Sequence, residues 1–376
     1  MKRFFDLLLC PGNIPALDGL RAFAIILVVF RHGFLAASEA GEAALYGQPL
    51  AALALNGWLG VDLFFVLSGF LISHHLIGAR EKGSYRYKNY MAKRVLRTFP
   101  LYYAILLIAF SGIVPYSEPE ESISLFALRK YLLFLQDYFG SAVLVPLWSL
   151  AVEEKFYLIA PLLVFLILKA PVKFAPAIAV FMALVSSYVR FRELGSLGDA
   201  DYGEFFWQVR APFHQCLDGI FLGMSVAFLI RCGRGKHESS LALKPKQAFY
   251  LSLIAVALVL TAVPFVEARL WTVATIATLT VSLLFAVMVW AVVSDESLSK
   301  GVLGGVLLRV IGKLSYALYL THYLFIPVSL EFSGLFSEGQ GLPAFWFSYI
   351  GLSVMSAILL HVLVERPFLM LKAKIT

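Results

Sequence analysis

Charge is scarce in this chain: Asp, Glu, Lys and Arg make up 15% of its 376 residues, while hydrophobic side chains make up 60%. A soluble domain is about a quarter charged and nearer half apolar. The composition therefore excludes a soluble globular enzyme, and its hydrophobicity excludes a disordered chain. Cysteine is rarer still, with Cys10, Cys216 and Cys232 as the whole set. In the topology derived below only Cys216 falls in the outer half, so no extracytoplasmic disulfide is expected and packing alone must hold the fold. No HExxH, CxxC, GxSxG or P-loop string occurs. Zinc-protease, redox and NTPase chemistry thus have no support, and no metal site is expected. A signal peptide is missing too, because the apolar run after Met1 is broken by Asp6 and stopped by Pro11. That opening segment reads as a short cytoplasmic stretch lying on the membrane. With no internal repeat and no domain boundary visible, one domain over 1–376 without an appended soluble domain is expected.

What the chain has is apolar length. A spanning helix needs about 20 apolar residues. Runs of that kind fall at 17–37, 55–77, 99–115, 146–168, 174–190, 210–230, 248–266, 272–294, 306–328 and 344–364. The expected fold class is an all-α integral membrane protein of about ten transmembrane helices. The stretch 123–139 carries Arg129, Lys130 and Asp137 and reads as an interfacial amphipathic helix, not a span. Loop charge supports the count. Loop 78–98 holds Arg80, Lys82, Arg86, Lys88, Lys93, Arg94 and Arg97 against Glu81, and loop 231–247 and the tail are also basic. Loops 38–54 and 330–343 hold acids and no base. With both termini cytoplasmic, every strongly basic loop falls inside. The net charge of +7 is then a topology signal, and nucleic-acid binding is not expected. Gly219 and Gly223 form a small-xxx-small pair that reads as a helix-packing face.

Ionisable groups inside spans are expensive unless paired or hydrated. By position along their spans, His32, Asp62, Glu153, Glu154, Asp218 and His322 lie roughly 8–12 Å below the outer boundary. This predicts one polar chamber in the outer half; the other arrangement is a set of scattered interhelical pairs. At the inner face stand Arg21, Arg94 and Arg97, the last two on one side of a helix by their spacing of three. Asp18 is placed either to pair with Arg21 or to cap the helix. Arg21 and His32 are eleven residues apart, which on a helix gives the same face at a separation of about 16 Å. A phosphorylated carrier could bind arginines at the inner mouth and reach the histidine, which can take a proton from a hydroxyl. The other histidines select themselves less well: His74 and His75 point about 100° apart, His237 is in a basic loop, His361 precedes Glu365 by four as a local pair, and His214 lies near the outer surface.

The strings ALDGLRAFAIILVVFRH at 16–32, GVDLFFVLSGFLI at 60–72, KRVLRTFPLYY at 93–103, PLWSLAVEEKFYLIAPLL at 146–163, KLSYALYLTH at 313–322 and VERPF at 364–368 run the length of the chain. In them the sequence resembles the bacterial membrane-bound acyltransferase family three, whose members O-acylate surface and secreted carbohydrates. The resemblance implies ten helices around a pore, with acyl-CoA, by default acetyl-CoA, entering from the cytosol. It implies transfer to a carbohydrate or glycolipid acceptor outside the inner (plasma) membrane. His32 is implied as the catalytic residue, with Arg21, Arg94 and Arg97 at the CoA end; Glu153 and Glu365 also lie in family strings. Lys155 departs from the glutamine common there. Asp62, Glu153 or His322 could orient His32, and the sequence does not choose. A transporter or flippase, or a relay subunit for a separate soluble transferase, would also use a midplane polar chamber. No inverted repeat or pair of Gly/Pro-broken spans favours transport.

Overall fold

The computed structural model describes residues 14–39, 48–111, 125–140, 144–198, 201–233, 243–261, 271–336 and 340–375. The described residues are helical or irregular, with no strand among them. The long helices are α1 (Pro15–Glu39), α2 (Gly60–Glu81), α3 (Tyr87–Phe110), α4 (Trp148–Ile167), α5 (Ala175–Leu194), α6 (Asp218–Gly233), α7 (Pro245–Thr261), α8 (Trp271–Ser294), α9 (Val306–Thr321) and α10 (Gly341–Leu360). Each expected apolar run overlaps one of them, though not every run is one continuous helix. Proline sits in the first turn of α1, α5 and α7, where its missing N–H costs nothing.

Five helical stretches are long and apolar enough to cross a membrane: Pro15–Ser38, Pro49–Glu81, Val172–Leu194, Ala274–Ser294 and Gly341–Ala373. The other helices fall short for visible reasons. α4 carries Glu153, Glu154 and Lys155, α3 carries four cations in its first half, and α6, α7 and α9 have 16, 17 and 16 residues, fewer than the roughly 20 a span needs. The chain is a multi-pass membrane protein. α5 and α10 are among the most exposed helices, with Phe181 65% and Phe347 81% exposed, side chains that need lipid or a partner to cover them.

The centre is α1, α2, α6 and α9, with α6 packed on α2 and α9 on α1. The α2–α6 approach is close enough that only glycine fits. A Cβ on Gly223 would lie 2.0 Å from the Val66 carbonyl oxygen, and one on Gly69 would lie 1.9 Å from that of Ile220. The small-residue face is therefore a packing face, as its spacing implies.

Three expectations need correction. The stretch 123–139 is not one amphipathic helix: from residue 125 it is two short pieces, Leu125–Leu132 and Gln136–Phe139, broken at Phe134, whose φ is +53°. Lys155 supplies the reason, bonding the Phe134 carbonyl at 2.6 Å and the Asp137 carboxylate at 2.5 Å. Second, the apolar run 210–230 is not a single helix. Short turns at 206–210 and 213–215 precede α6, which puts Asp218 in its first turn. Third, the run 306–328 changes at His322, where α9 gives way to a 3₁₀ turn. The opening segment and Cys10 lie outside the described residues, as do parts of the loops 38–54, 231–247 and 330–343.

Candidate active site

Of the six groups expected in one outer chamber, His32 and Glu153 line two different cavities, His322 bonds His32, Asp62 and Asp218 are in ion pairs, and Glu154, among the described residues, is in neither a cavity nor an ion pair. His32, late in α1, lines a cavity of about 160 Å³, the outer one in the expected orientation, together with Arg31, Trp58, Trp148, Tyr202 and Arg210. That volume is well above the roughly 10–15 Å³ that one water needs. His32 Nδ1 lies 3.1 Å from Nε2 of His322, and Nδ1 of His322 lies 2.9 Å from the Leu318 carbonyl. A carbonyl only accepts, so Nδ1 of His322 carries the proton. In the neutral pair Nε2 of His322 then accepts from Nδ1–H of His32, which leaves Nε2 of His32 with its lone pair. Tyr323 packs its ring edge-on to His32 at 5.5 Å.

Asp62 and Asp218 do not face this cavity. Asp62 receives Nη2 of Arg210 on both oxygens at 2.8 Å. Asp218 receives Nη2 and Nη1 of Arg190 at 2.6 and 3.2 Å and the Ser187 hydroxyl at 3.1 Å. All four charged side chains are almost fully buried. A buried carboxylate must find such a partner. Arg190 and Arg210 escape a sequence reading because the first lies at the end of one apolar run and the second at the start of another. The signal was an arginine in apolar surroundings with an aspartate free to meet it.

Glu153 lines the second, inner cavity, of about 80 Å³, with Arg21, Ser68, Arg97 and Tyr157. Its carboxylate accepts from the Ser68 hydroxyl and, at 3.3 Å, from the Tyr157 hydroxyl. Glu154 turns away toward Thr98 and Arg94. Of the three candidates for orienting His32, only His322 bonds it; the hydrogen bonds of Asp62 and Glu153 go elsewhere.

Arg21 and Arg97 share the inner cavity, but Arg94 is not on its wall. Its guanidinium lies over the Tyr90 and Tyr157 rings at 5.9 and 5.8 Å. Asp18 sits inside α1, so it is no cap; it pairs with Arg21 at 3.6 Å and with Lys313 at 3.2 Å. Lys372 stands in the combined field of Arg97, Arg94, Arg21 and Lys93. Lys372 belongs to the basic tail expected at the inner face, whereas Lys313 is a cation of the inner end that sequence spacing does not reveal, because it lies on α9, far along the chain from its partner Asp18. Tyr319 lines both cavities. Its hydroxyl is held by the Pro146 carbonyl at 2.6 Å and Ser149 at 2.7 Å, so its ring is the partition between them. Among the lower-ranked histidines, His361 bonds Glu365 at 2.7 Å and His214 bonds the Tyr138 hydroxyl at 3.0 Å.

A helical membrane protein with a histidine pair over one internal cavity and arginines over another, joined at a tyrosine, is the class these features define. The acyltransferase domain family, acyltransferase family three, matches residues 14–362, and the chain belongs to it. The chain is 27% identical over 376 residues to "Putative peptidoglycan O-acetyltransferase YrhL" of Bacillus subtilis, covering 94% of this chain and 54% of that protein. It is 35% identical over 173 residues to the peptidoglycan O-acetyltransferase OatA of Listeria monocytogenes, covering 41% of this chain and 25% of that one. Against the acyltransferase MdmB of Streptomyces mycarofaciens it is 27% identical over 385 residues, covering 94% and 91%. The chain thus spans about half the length of the first of these relatives. No solved structure matches.

Proposed function

We propose that the protein is an acyl-CoA-dependent O-acyltransferase of the inner membrane, with ten spans and both termini cytoplasmic, which moves an acyl group, by default acetyl, to a hydroxyl of an extracytoplasmic carbohydrate. The observation that carries the reading is the His32–His322 pair, because it leaves the outer imidazole with a directed lone pair on the same helix as Arg21. The phosphates of acyl-CoA bind Arg21 and Arg97 at the inner cavity. The pantetheine arm then passes Tyr319 toward the outer cavity. Nε2 of His32 takes the proton of the acceptor hydroxyl while that oxygen attacks the thioester carbonyl carbon. The carbon–sulfur bond breaks, and the departing thiolate takes the proton back from His32, giving the ester and free CoA.

Removing a general base costs about 10²- to 10⁴-fold. Purified His32→Ala is expected to lose acetyl transfer from acetyl-CoA to that extent while still binding CoA, since Arg21 lies about 16 Å away along α1 and Arg97 is on another helix, α3. Transfer by this variant at near the wild-type rate would remove His32 from the mechanism.

A further inference from the structure

The outer cavity carries a cation that no carboxylate among the described residues balances. Two arginines line it beside His32, Arg31 at 4% and Arg210 at 2% exposure, and among the described residues its lining holds no Asp or Glu. Arg210 is neutralised by Asp62, on which it places Nη2. Its guanidinium is sandwiched between Trp58 and Trp148 at 5.2 Å from each ring, a held and already paired charge. Arg31 differs. Its bonds go to neutral groups, the Leu55 carbonyl and, at 2.8 Å, the Tyr202 hydroxyl. Among the described residues no carboxylate forms an ion pair with it. A buried guanidinium without an anion is expensive, above all inside a membrane. A site that keeps one is built for an anion from outside the chain.

The donor does not supply that anion. The charges of acyl-CoA are phosphates, remote from the thioester and matched by the arginines of the inner cavity, and an acetyl group is neutral. The anion must come with the acceptor. The rest of the cavity suits a sugar, since Trp58, Trp148 and Tyr202 offer flat apolar faces with polar edges. Arg31 and His32 are successive residues on α1, so an acceptor anchored by its anion on the first is brought beside the second.

Resting on the acyl-transfer reading, we propose that the outer cavity selects an acidic sugar, whose carboxylate or phosphate pairs with Arg31 while a ring hydroxyl lies at His32. A charge-assisted bidentate contact gives about ten- to hundredfold in affinity. The test uses the full chain in phosphatidylcholine nanodiscs free of glycoside detergent, with the change in total tryptophan fluorescence, to which Trp58 and Trp148 on the cavity wall contribute, as readout. Glucuronate, glucose 6-phosphate and glucose are titrated separately. One of the two acids is expected to bind at least about tenfold more tightly than glucose, and which one it is separates carboxylate from phosphate. In Arg31→Gln that preference should fall to within about twofold, while Arg31→Lys, which keeps the charge without the fork, should retain part of it. Equal binding of acids and glucose, binding of neither acid, or an undiminished preference in folded Arg31→Gln would each overturn the proposal. Should Arg31→Gln fail to fold, Arg31→Lys decides, because an unchanged acid preference there speaks against the bidentate contact. Acetyl transfer from acetyl-CoA is assayed in parallel. Transfer without acid preference removes only the acidic-sugar site, whereas acid preference without transfer removes the acyltransferase reading.

Discussion

His32 and His322 stand 290 positions apart and meet at 3.1 Å. Neither spacing nor composition could pair them. What was legible was that each is an ionisable group at a similar depth, and that His32 shares a helix face with Arg21. Depth along a helix says nothing of azimuth, which is why depth alone groups Glu153 with the histidines although its side chain turns to Ser68 and Tyr157. The pair itself makes a prediction. Glutamine at 322 can donate from its amide to the Leu318 carbonyl and accept from Nδ1–H of His32 with its oxygen. His322→Gln should therefore keep much of the activity. His322→Ala removes one of the two bonds that hold the His32 ring, the other being to the Val28 carbonyl, a loss of up to about ten- to hundredfold if that bond is worth roughly 1.5–3 kcal/mol in the transition state. Steady-state acetyl transfer by both folded variants decides it; equal activity in the two would show that His322 only packs.

At the scale of elements, the helices were legible because an apolar run of spanning length has few other structures open to it. Their interruptions were not. The turns before Asp218 and at His322 lie inside continuous apolar runs, and they form because tertiary partners, Arg190 for Asp218 and His32 for His322, take up the polar groups there. Contacts between helices decide tolerance to substitution in the same way. Gly223 and Gly78 both lie within long helices, and by propensity alone alanine stabilises each by about 0.5–1 kcal/mol. A Cβ at Gly78 meets nothing within 4 Å, whereas one at Gly223 collides with the Val66 carbonyl. Gly78→Ala is expected to hold or raise the melting temperature in detergent. Gly223→Ala is expected to lower it, since overpacking of this kind costs about 1–3 kcal/mol. A Gly223→Ala protein as stable as wild type would mean that α2 and α6 can part without penalty.

Over the whole molecule the charge is polarised. The inner end gathers Arg21, Lys93, Arg94, Arg97 and Lys372 in one mutual field, with Asp18 beside Arg21 and Lys313. Like charges so gathered repel one another unless an anion joins them, and a cleft lined by one sign concentrates such an anion. The three arginines were visible in the sequence, but their unequal roles were not, because a spacing of three puts Arg94 and Arg97 on one side of α3 without saying what that side meets. Arg97 meets the inner cavity; Arg94 meets the faces of Tyr90 and Tyr157. The expected order of effects on CoA binding follows. Arg97→Ala should weaken it by about ten- to hundredfold, the worth of a charge-assisted bond to phosphate. Lys372→Ala should weaken it less, as a partly exposed point charge without the guanidinium fork. Arg94→Ala should act mainly on stability by emptying the space between two tyrosines. Raising ionic strength shortens the reach of these charges, so the wild-type advantage over Arg97→Ala and Lys372→Ala should shrink together along a salt series. Calorimetric titration of CoA into the three folded variants reads the order directly. Arg94→Ala with the largest loss of affinity would place the phosphates on the tyrosine side of α3, and wild-type affinity in all three would leave the inner cations as topology signals alone.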